Sequence, residues 1–334
     1  MAFPSVSVIV PNYNHASYLR QRLDSIFNQT FQDFEVIILD DCSTDNSKEI
    51  IEEYSSRPQI NHIIYNKTNS GSPFKQWAKG FDLAQGEYIW IAESDDWAEL
   101  SFLETLIQIL NKDESLSLVF CESFWEYSEK TTFGQLLTKN TFFKGLDFIK
   151  KRQIFNNNIV NASSVLFRRN ILSKISSDYQ EFQGSGDYIL WSYFCEQGNI
   201  YYSTKRLNHF RRHDTTTTNK CFATGQTSFE NHRIYNYFKS KGYLSNFAKY
   251  RIVNYNLKQI EANKDLLEKN EAYTQCRSLW ENEKRIGNLT SPLLTFFAKQ
   301  INEYSNLPFH AKIWKFFHLP DTNIRGRLFR NIIF

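Results

Sequence analysis

The sequence predicts an α/β fold: a mostly parallel, nucleotide-binding type of sheet flanked by helices, with a helical C-terminal region. Three observations predict it. Short β-branched runs alternate with amphipathic stretches between residues 6 and 121, the pattern of βαβ units. Those runs are apolar on both faces, as strands buried between two helix layers are. Beyond Thr218 the pattern changes to long helical periodicity.

Each element follows in order. Residues 6–10 are a β-branched run ending at Pro11. Residues 16–28 read as a helix with Leu19, Leu23, Ile26 and Phe27 on one face. Residues 34–39 are the second strand, and Asp45 or Asn46 is the expected N-cap of a helix reaching Tyr54. Residues 61–65 give a third strand, 74–84 a helix, 88–92 a fourth strand, 99–111 a helix and 117–121 a fifth strand. From 143 to 213 the pattern is mixed, with short strands at 164–167 and 200–202 around the aromatic segment 184–197. Residues 229–241, 247–267 and 271–284 read as helices. The expected division is an α/β domain over 1–217 and a helical, basic, aromatic-rich region over 218–334.

At 334 residues, 41% hydrophobic and 22% charged, the chain is long enough for two domains, and disordered or collagen-like classes are excluded. Aromatics are abundant, with 29 Phe, 18 Tyr and 7 Trp, enough for a large core and for stacking on rings. The net charge of +3 hides an asymmetry: residues 1–215 hold 21 basic against 27 acidic side chains, and residues 216–334 hold 18 against 9. An acidic front suits a metal, and a basic rear suits a phosphate-bearing surface. The five cysteines form no C-x-x-C pair, so free thiols in a reducing compartment are expected. The N-terminus shows no secretory pattern and no run of about 18 apolar residues occurs, so a cytoplasmic protein that does not span a membrane is expected.

In a sheet of this kind ligands gather at the carboxyl ends of the strands. Those ends carry Pro11-Asn12-Tyr13-Asn14, Asp40-Asp41, Asn66-Lys67 and Glu93-Ser94-Asp95-Asp96. Three carboxylates within four residues repel one another unless a cation sits among them. Hard oxygen ligands suit Mg²⁺ or Mn²⁺ completed by phosphate oxygens. The bland alternative is an acidic loop that caps the helix after it. Asp40-Asp41 offers acceptors for an imide N–H or a ribose hydroxyl, or else a turn. Pro11 fixes the backbone and Tyr13 offers a flat face for a base. Asp187, after Gly184-Ser185-Gly186, is either an N-cap or a general base at the mouth of a cleft. Arg211-Arg212-His213 brings positive charge and an imidazole suited to a diphosphate, or forms a basic surface patch.

Together these motifs resemble the family 2 inverting glycosyltransferases of GT-A fold, over roughly residues 5–215 and in the expected order. The resemblance rests on Ser7-Val8-Ile9-Val10-Pro11-Asn12-Tyr13-Asn14, on the strand ending Leu39-Asp40-Asp41-Cys42-Ser43-Thr44-Asp45, and on Trp90-Ile91-Ala92-Glu93-Ser94-Asp95-Asp96. It also rests on Gly186-Asp187 and on Leu207-Asn208-His209-Phe210-Arg211-Arg212-His213. It implies that Pro11, Tyr13, Asn14 and Asp41 hold a nucleobase, most often uracil, with Asp40 supporting that loop. It places Glu93 near the ribose, Asp95 on a metal bridging the diphosphate with Asp96 and His213 assisting, and Asp187 as the base. Lys75 and Trp77 would line the nucleotide-sugar pocket, and Arg212 would face the leaving group. Three positions depart from the pattern: Cys42 stands for a usual Gly, Glu93 for a commoner Asp, and Gly186 for the Glu that commonly precedes the base.

The expected activity is inverting transfer of a sugar from a nucleotide-diphosphate donor, most simply a UDP-sugar, to a hydroxyl of a glycan or lipid-linked acceptor. Mn²⁺ or Mg²⁺ is the implied cofactor and cell-surface polysaccharide synthesis the implied setting. The alternative is a catalytically silent nucleotide-sugar-binding or scaffold protein of the same fold. A sugar-phosphate nucleotidyltransferase and a Rossmann dehydrogenase both need a glycine-rich loop after the first strand, and residues 11–15 contain no glycine. The basic tail, with Trp314, Phe316, Phe317 and Phe329 among Lys312, Lys315, Arg325, Arg327 and Arg330, reads either as a peripheral contact with the inner face of a membrane or as a helical cap. No nucleic-acid-binding module is recognised.

Overall fold

A computed structural model describes residues 3–127, 129–212 and 217–286. Strands β1 (Val6–Asn12), β2 (Phe34–Asp40), β3 (Ile60–Tyr65) and β4 (Tyr88–Ile91) alternate with helices α1 (Ala16–Phe27), α2 (Ser47–Tyr54) and α3 (Pro73–Leu83). They pair in parallel, β2 between β3 and β1, and β1 between β2 and β4. Every residue of β1 and β2 is buried. Alternation divides them between two cores. Val6, Val8 and Val10 face α1 and α4 (Phe102–Leu110), while Ile9 joins the cluster that holds Phe74 and Trp77 of α3. Each such side chain contributes about 1.5–3 kcal/mol through removal from water.

The second half of the sheet is more irregular than its sequence. It contains β5 (Trp97–Ala98), β6 (Leu116–Glu126), β7 (Thr131–Phe133) and β8 (Thr141–Phe143), followed by the short helix α5 (Gly145–Phe148). Then come β9 (Val165–Arg168), α6 (Gly186–Gln197) and β10 (Asn199–Arg211). The strand order is β3-β2-β1-β4-β9-β6-β10-β5. β9 runs antiparallel to both of its neighbours, β4 and β6. The parallel pattern resumes between β6 and β10.

Several boundaries differ from the sequence expectation. β6 continues to Glu126 and β10 to Arg211, because each finds a partner over its polar half: Phe210 and Arg211 lie opposite Trp125 and Glu126. Arg211 therefore ends a strand. Asp187 lies inside the first turn of α6, with Ser185 at the N-cap position, so it is not the cap. Asn46 is the N-cap of α2 without a side-chain bond, while Asp45 accepts N–H bonds from Ser47 and Ala16. The expected helix over 247–267 is broken at Asn263 into α9 (Asn246–Ala262) and α10 (Lys264–Lys269).

The C-terminal helices are α7 (Thr217–Ala223), α8 (Gln226–Ser240), α9 (Asn246–Ala262), α10 (Lys264–Lys269) and α11 (Tyr273–Ile286). Ile234, Tyr235, Phe238, Val253 and Trp280 from them belong to the same buried cluster as Ile9, Trp77 and Trp191. Tyr235, Phe238 and Trp280 of this stretch thus pack into the core shared with the sheet. All five cysteines are free. Among the described residues no helix is long and apolar enough to cross a membrane. His213 and the basic tail over 313–334, on which membrane contact was read, lie outside the described residues.

Candidate active site

The ends of β1 and β2 are tied into one unit. Asp40 is buried and accepts bonds from Asn12 Nδ2 at 2.8 Å, the Ser43 N–H at 3.0 Å and Ser43 Oγ at 2.6 Å. Asn14, at φ 56°, accepts the Thr44 N–H at 2.7 Å through its side chain and donates its own N–H to Ser43 Oγ at 2.9 Å. Pro11 is buried in β1, and Tyr13 leaves its ring 46% exposed beside this turn. Cys42 sits at φ 65°, the left-handed conformation that glycine adopts without cost.

Asp41 is buried and turned toward α3. It accepts Asn66 Nδ2 at 2.7 Å, Gln76 Nε2 at 2.9 Å, and the N–H and Oγ–H of Ser70 at 3.0 and 2.7 Å. Gln76 was not singled out in the sequence; its neighbours Lys75 and Trp77 were. Lys75 is exposed and donates to the Ser70 carbonyl at 3.1 Å, while Trp77 is buried and donates its indole N–H to Glu93 Oε1 at 2.7 Å. Helix α3 therefore serves both acidic motifs, Asp41 through Gln76 and Glu93 through Trp77.

The acidic loop is suspended between β4 and β5. The Glu93 N–H donates to Ser163 Oγ at 3.1 Å, and the Glu93 carbonyl accepts Arg22 Nε at 2.8 Å. Burial, and then the charge of Asp95, push the Glu93 carboxyl up to about 8. Asp96 is buried, bonded to Asn161 Nδ2 at 2.8 Å and to the Arg211 N–H at 3.0 Å. Burial and Asp95 raise it to about 7. Arg22 is fully buried behind the loop, its guanidinium 5.3 Å from the Trp90 ring. Burial lowers it to about 10 against the opposing pull of Asp96, Asp95 and Glu93. The sequence gave no signal for Arg22, because nothing in a helix pattern tells which residue will meet a loop 71 positions away. Beyond the loop, His209 stacks on Trp97 at 3.3 Å and bonds Glu126 and Glu99 at 2.8 and 2.9 Å, which pins β5 to β10.

Asp95 is partly exposed, and its carbonyl accepts Arg211 Nη1 at 2.6 Å. Among the described residues no group of three or more His, Cys, Asp or Glu is arranged to hold a metal ion by itself. Asp96 has both oxygens committed to protein donors. The donor set fits a hard divalent cation held by Asp95 and completed by phosphate oxygens, and it does not fit a cation held by protein alone.

Asp187 faces a cavity of about 290 Å³ lined by Phe155, Asn157, Arg212, Tyr235 and Tyr255 among others. Its carboxylate accepts Asn157 Nδ2 and the Tyr188 N–H, both at 2.8 Å. Burial pushes the group up to about 7 against those two bonds. Arg212 is exposed at the cavity rim, its guanidinium 5.1 Å from the Phe210 ring. Gly186 is explained by packing: a Cβ there would lie 2.6 Å from the Phe74 ring, so any other side chain must displace that ring. Asn157 was missed by sequence reasoning, as one of three consecutive asparagines in a loop without a pattern.

Comparison with known proteins shows the family. The model of the family described as Glycosyl transferase family 2 matches residues 7–176, half of the chain, and the chain belongs to that family. TuaG of Bacillus subtilis strain 168, a glycosyltransferase assigned to teichuronic acid biosynthesis, is 28% identical over 68% of this chain and 86% of its own length. Glycosyltransferase GlyG of Streptococcus pneumoniae serotype 4 is 35% identical over 37% of this chain and 40% of its own length, so the chain spans less than half of that relative. The crystal structure of Staphylococcus aureus TarS residues 1–349, in complex with UDP-GlcNAc, superposes with a TM-score of 0.57 at 18% identity. It covers 85% of this chain and 90% of that one, and it shares the GT-A architecture. The protein is a glycosyltransferase of mixed α/β, GT-A type fold.

Proposed function

We propose that this enzyme transfers a sugar from a UDP-sugar to a hydroxyl of a glycan or lipid-linked acceptor in cell-surface polysaccharide synthesis. The single observation that carries the reading is Asp187, a carboxyl raised to about 7 by burial and facing a cavity rimmed by Arg212. The donor class is supported by TarS, whose structures carry UDP and UDP-GlcNAc. The setting is supported by TuaG, named for teichuronic acid biosynthesis, and by TarS, named a poly(ribitol-phosphate) β-N-acetylglucosaminyltransferase.

In this reading the base stacks on Tyr13 above the turn closed by Asp40 and Asp41. The acceptor hydroxyl enters the cavity and meets Asp187 on the side of the anomeric carbon opposite the diphosphate. Asp187 takes the hydroxyl proton as the new C–O bond forms. The bond from the anomeric carbon to the diphosphate oxygen breaks, its electron pair leaves with UDP, and the centre inverts. Arg212 offsets the charge that grows on the diphosphate. Asp95 would hold Mn²⁺ or Mg²⁺, which when bound supplies further charge stabilisation to the phosphate oxygens. Asn157 holds the Asp187 carboxylate in place, and the Phe155 and Tyr255 rings line the cavity that the acceptor enters.

The test is Asp187→Asn. It should lower turnover of the best donor from a nucleotide-sugar panel by about 10²–10⁴-fold while leaving UDP affinity by calorimetry within about twofold. Near wild-type transfer by Asp187→Asn overturns the assignment of the base. No turnover by the wild-type protein with any donor, alongside retained UDP binding, would favour the binding-protein alternative.

A further inference from the structure

Helix α8 reaches back to the segment that introduces Asp187. Glu230 is 4% exposed and accepts four N–H bonds. The Gln183 backbone N–H and Gln226 Nε2 donate to Oε1 at 2.7 and 3.0 Å, and the backbone N–H groups of Gly184 and Ser185 donate to Oε2 at 3.0 and 2.7 Å. None of these partners is a cation. Ser185 occupies the N-cap position of α6 yet makes no capping bond with its own side chain. The acceptor for the backbone entering α6 comes instead from another helix, 45 residues further along the chain. The fit is close, since a Cβ on Gly184 would lie 2.9 Å from Cys221 Cβ.

We propose that Glu230 is a positioning residue for the base: from the helical region it fixes the entry of α6 and sets a carboxylate on the backbone N–H of Ser185, two residues ahead of Asp187. The proposal rests on the reading of Asp187 given above. The groups around Asp187 come from every neighbouring element. Asn157 approaches from the preceding loop and Tyr188 from α6 itself. Glu230 and Tyr235 lie on α8, Tyr255 on α9, and Arg212 at the end of β10. Of these, Glu230 alone adds negative charge, and it opposes ionisation of Asp187, whereas Asn157 and the Tyr188 N–H favour it. An acidic side chain at Gly186 would have to displace the Phe74 ring. A second carboxylate can reach the base only from elsewhere in the fold, and α8 provides one.

The experiment follows the Asp187 carboxyl by ¹³C NMR in protein labelled at aspartate Cγ, the signal being assigned by its loss in Asp187→Asn. Glu230→Gln should lower the titration midpoint by roughly 0.5–1 unit. Glu230→Asp, which withdraws the carboxylate by one methylene, should fall between Glu230→Gln and the wild type. A residue that only braces the loop would leave the midpoint where it is, so an unchanged midpoint in both variants overturns the proposal. Should Glu230→Gln fail to fold, Glu230→Asp decides alone: a lowered midpoint supports the proposal and an unchanged one overturns it. Because the readout is a titration, it stands apart from the base reading, which fails separately if Asp187→Asn retains transfer.

Discussion

The turn after β2 and the floor of the cavity at α6 each centre on an aspartate, and the two are built in opposite ways. Asp41 is surrounded by donors: Asn66, Gln76 and both the N–H and hydroxyl of Ser70 converge on it. Asp187 has two, Asn157 Nδ2 and the Tyr188 N–H, and burial outweighs them. A carboxylate supplied with donors holds a loop, and one that is buried with few holds a proton near neutral pH. The contrast shows that two acids which look alike in a motif divide the labour between architecture and chemistry.

The strongest way to test the contrast is through pH. Asp187 must be ionised to accept a proton, so turnover should fall roughly tenfold per unit as pH drops below about 7. A flat profile between pH 5 and 7 would break the comparison. The same carboxyl makes a stability prediction of defined sign. Its folded value near 7 lies above the unfolded value of about 3.9, so between these the native state binds the extra proton. Its contribution to stability is fully present below about pH 4 and is lost as pH rises through about 7. Asp187→Asn should therefore gain more in Tm over the wild type at pH 8 than at pH 5.

Asp41 should respond in the other currency. Asp41→Ala leaves the Ser70, Asn66 and Gln76 donors without their acceptor and should cost about 2–4 kcal/mol by urea unfolding at unchanged m-value. A loss under about 0.5 kcal/mol would deny Asp41 its architectural part. Gly186→Ala should cost about 1–3 kcal/mol through the Phe74 clash, and Phe74→Leu in the same chain should return part of it. The smallest effect belongs to the neighbouring turn. Cys42→Gly should relieve a left-handed backbone and stabilise by about 0.5–1 kcal/mol, after the added freedom of glycine in the unfolded chain is subtracted.

Much of this was legible in the sequence because its signals are local. The β-branched runs marked β1, β2 and β4, and the acids at their ends marked the ligand edge. Gly186-Asp187 pointed to a site although Asp187 in isolation reads as a cap. What was illegible depends on partners far along the chain. β9 turns antiparallel because it fills the gap between β4 and β6, and a four-residue strand carries no sign of its direction. Arg22 meets Glu93 across 71 positions and Glu230 meets Gln183 across 47, so neither leaves a motif. The resemblance gives Asp96 a part beside Asp95 on a metal, and no motif shows that its two oxygens also meet Asn161 and the Arg211 N–H, 65 and 115 positions away.

The cluster that joins Ile9 and Trp77 to Phe238, Val253 and Trp280 has a consequence for how the molecule comes apart. Heat or denaturant should not strip the helices away while the sheet stays native, because Tyr188 and Tyr193 of α6 would lose the Phe238 and Tyr237 rings that pack on them. The two stretches should melt as one cooperative unit, and agreement of the calorimetric and van't Hoff enthalpies checks it. Shortening the chain before α8 should yield an aggregating species rather than a smaller enzyme.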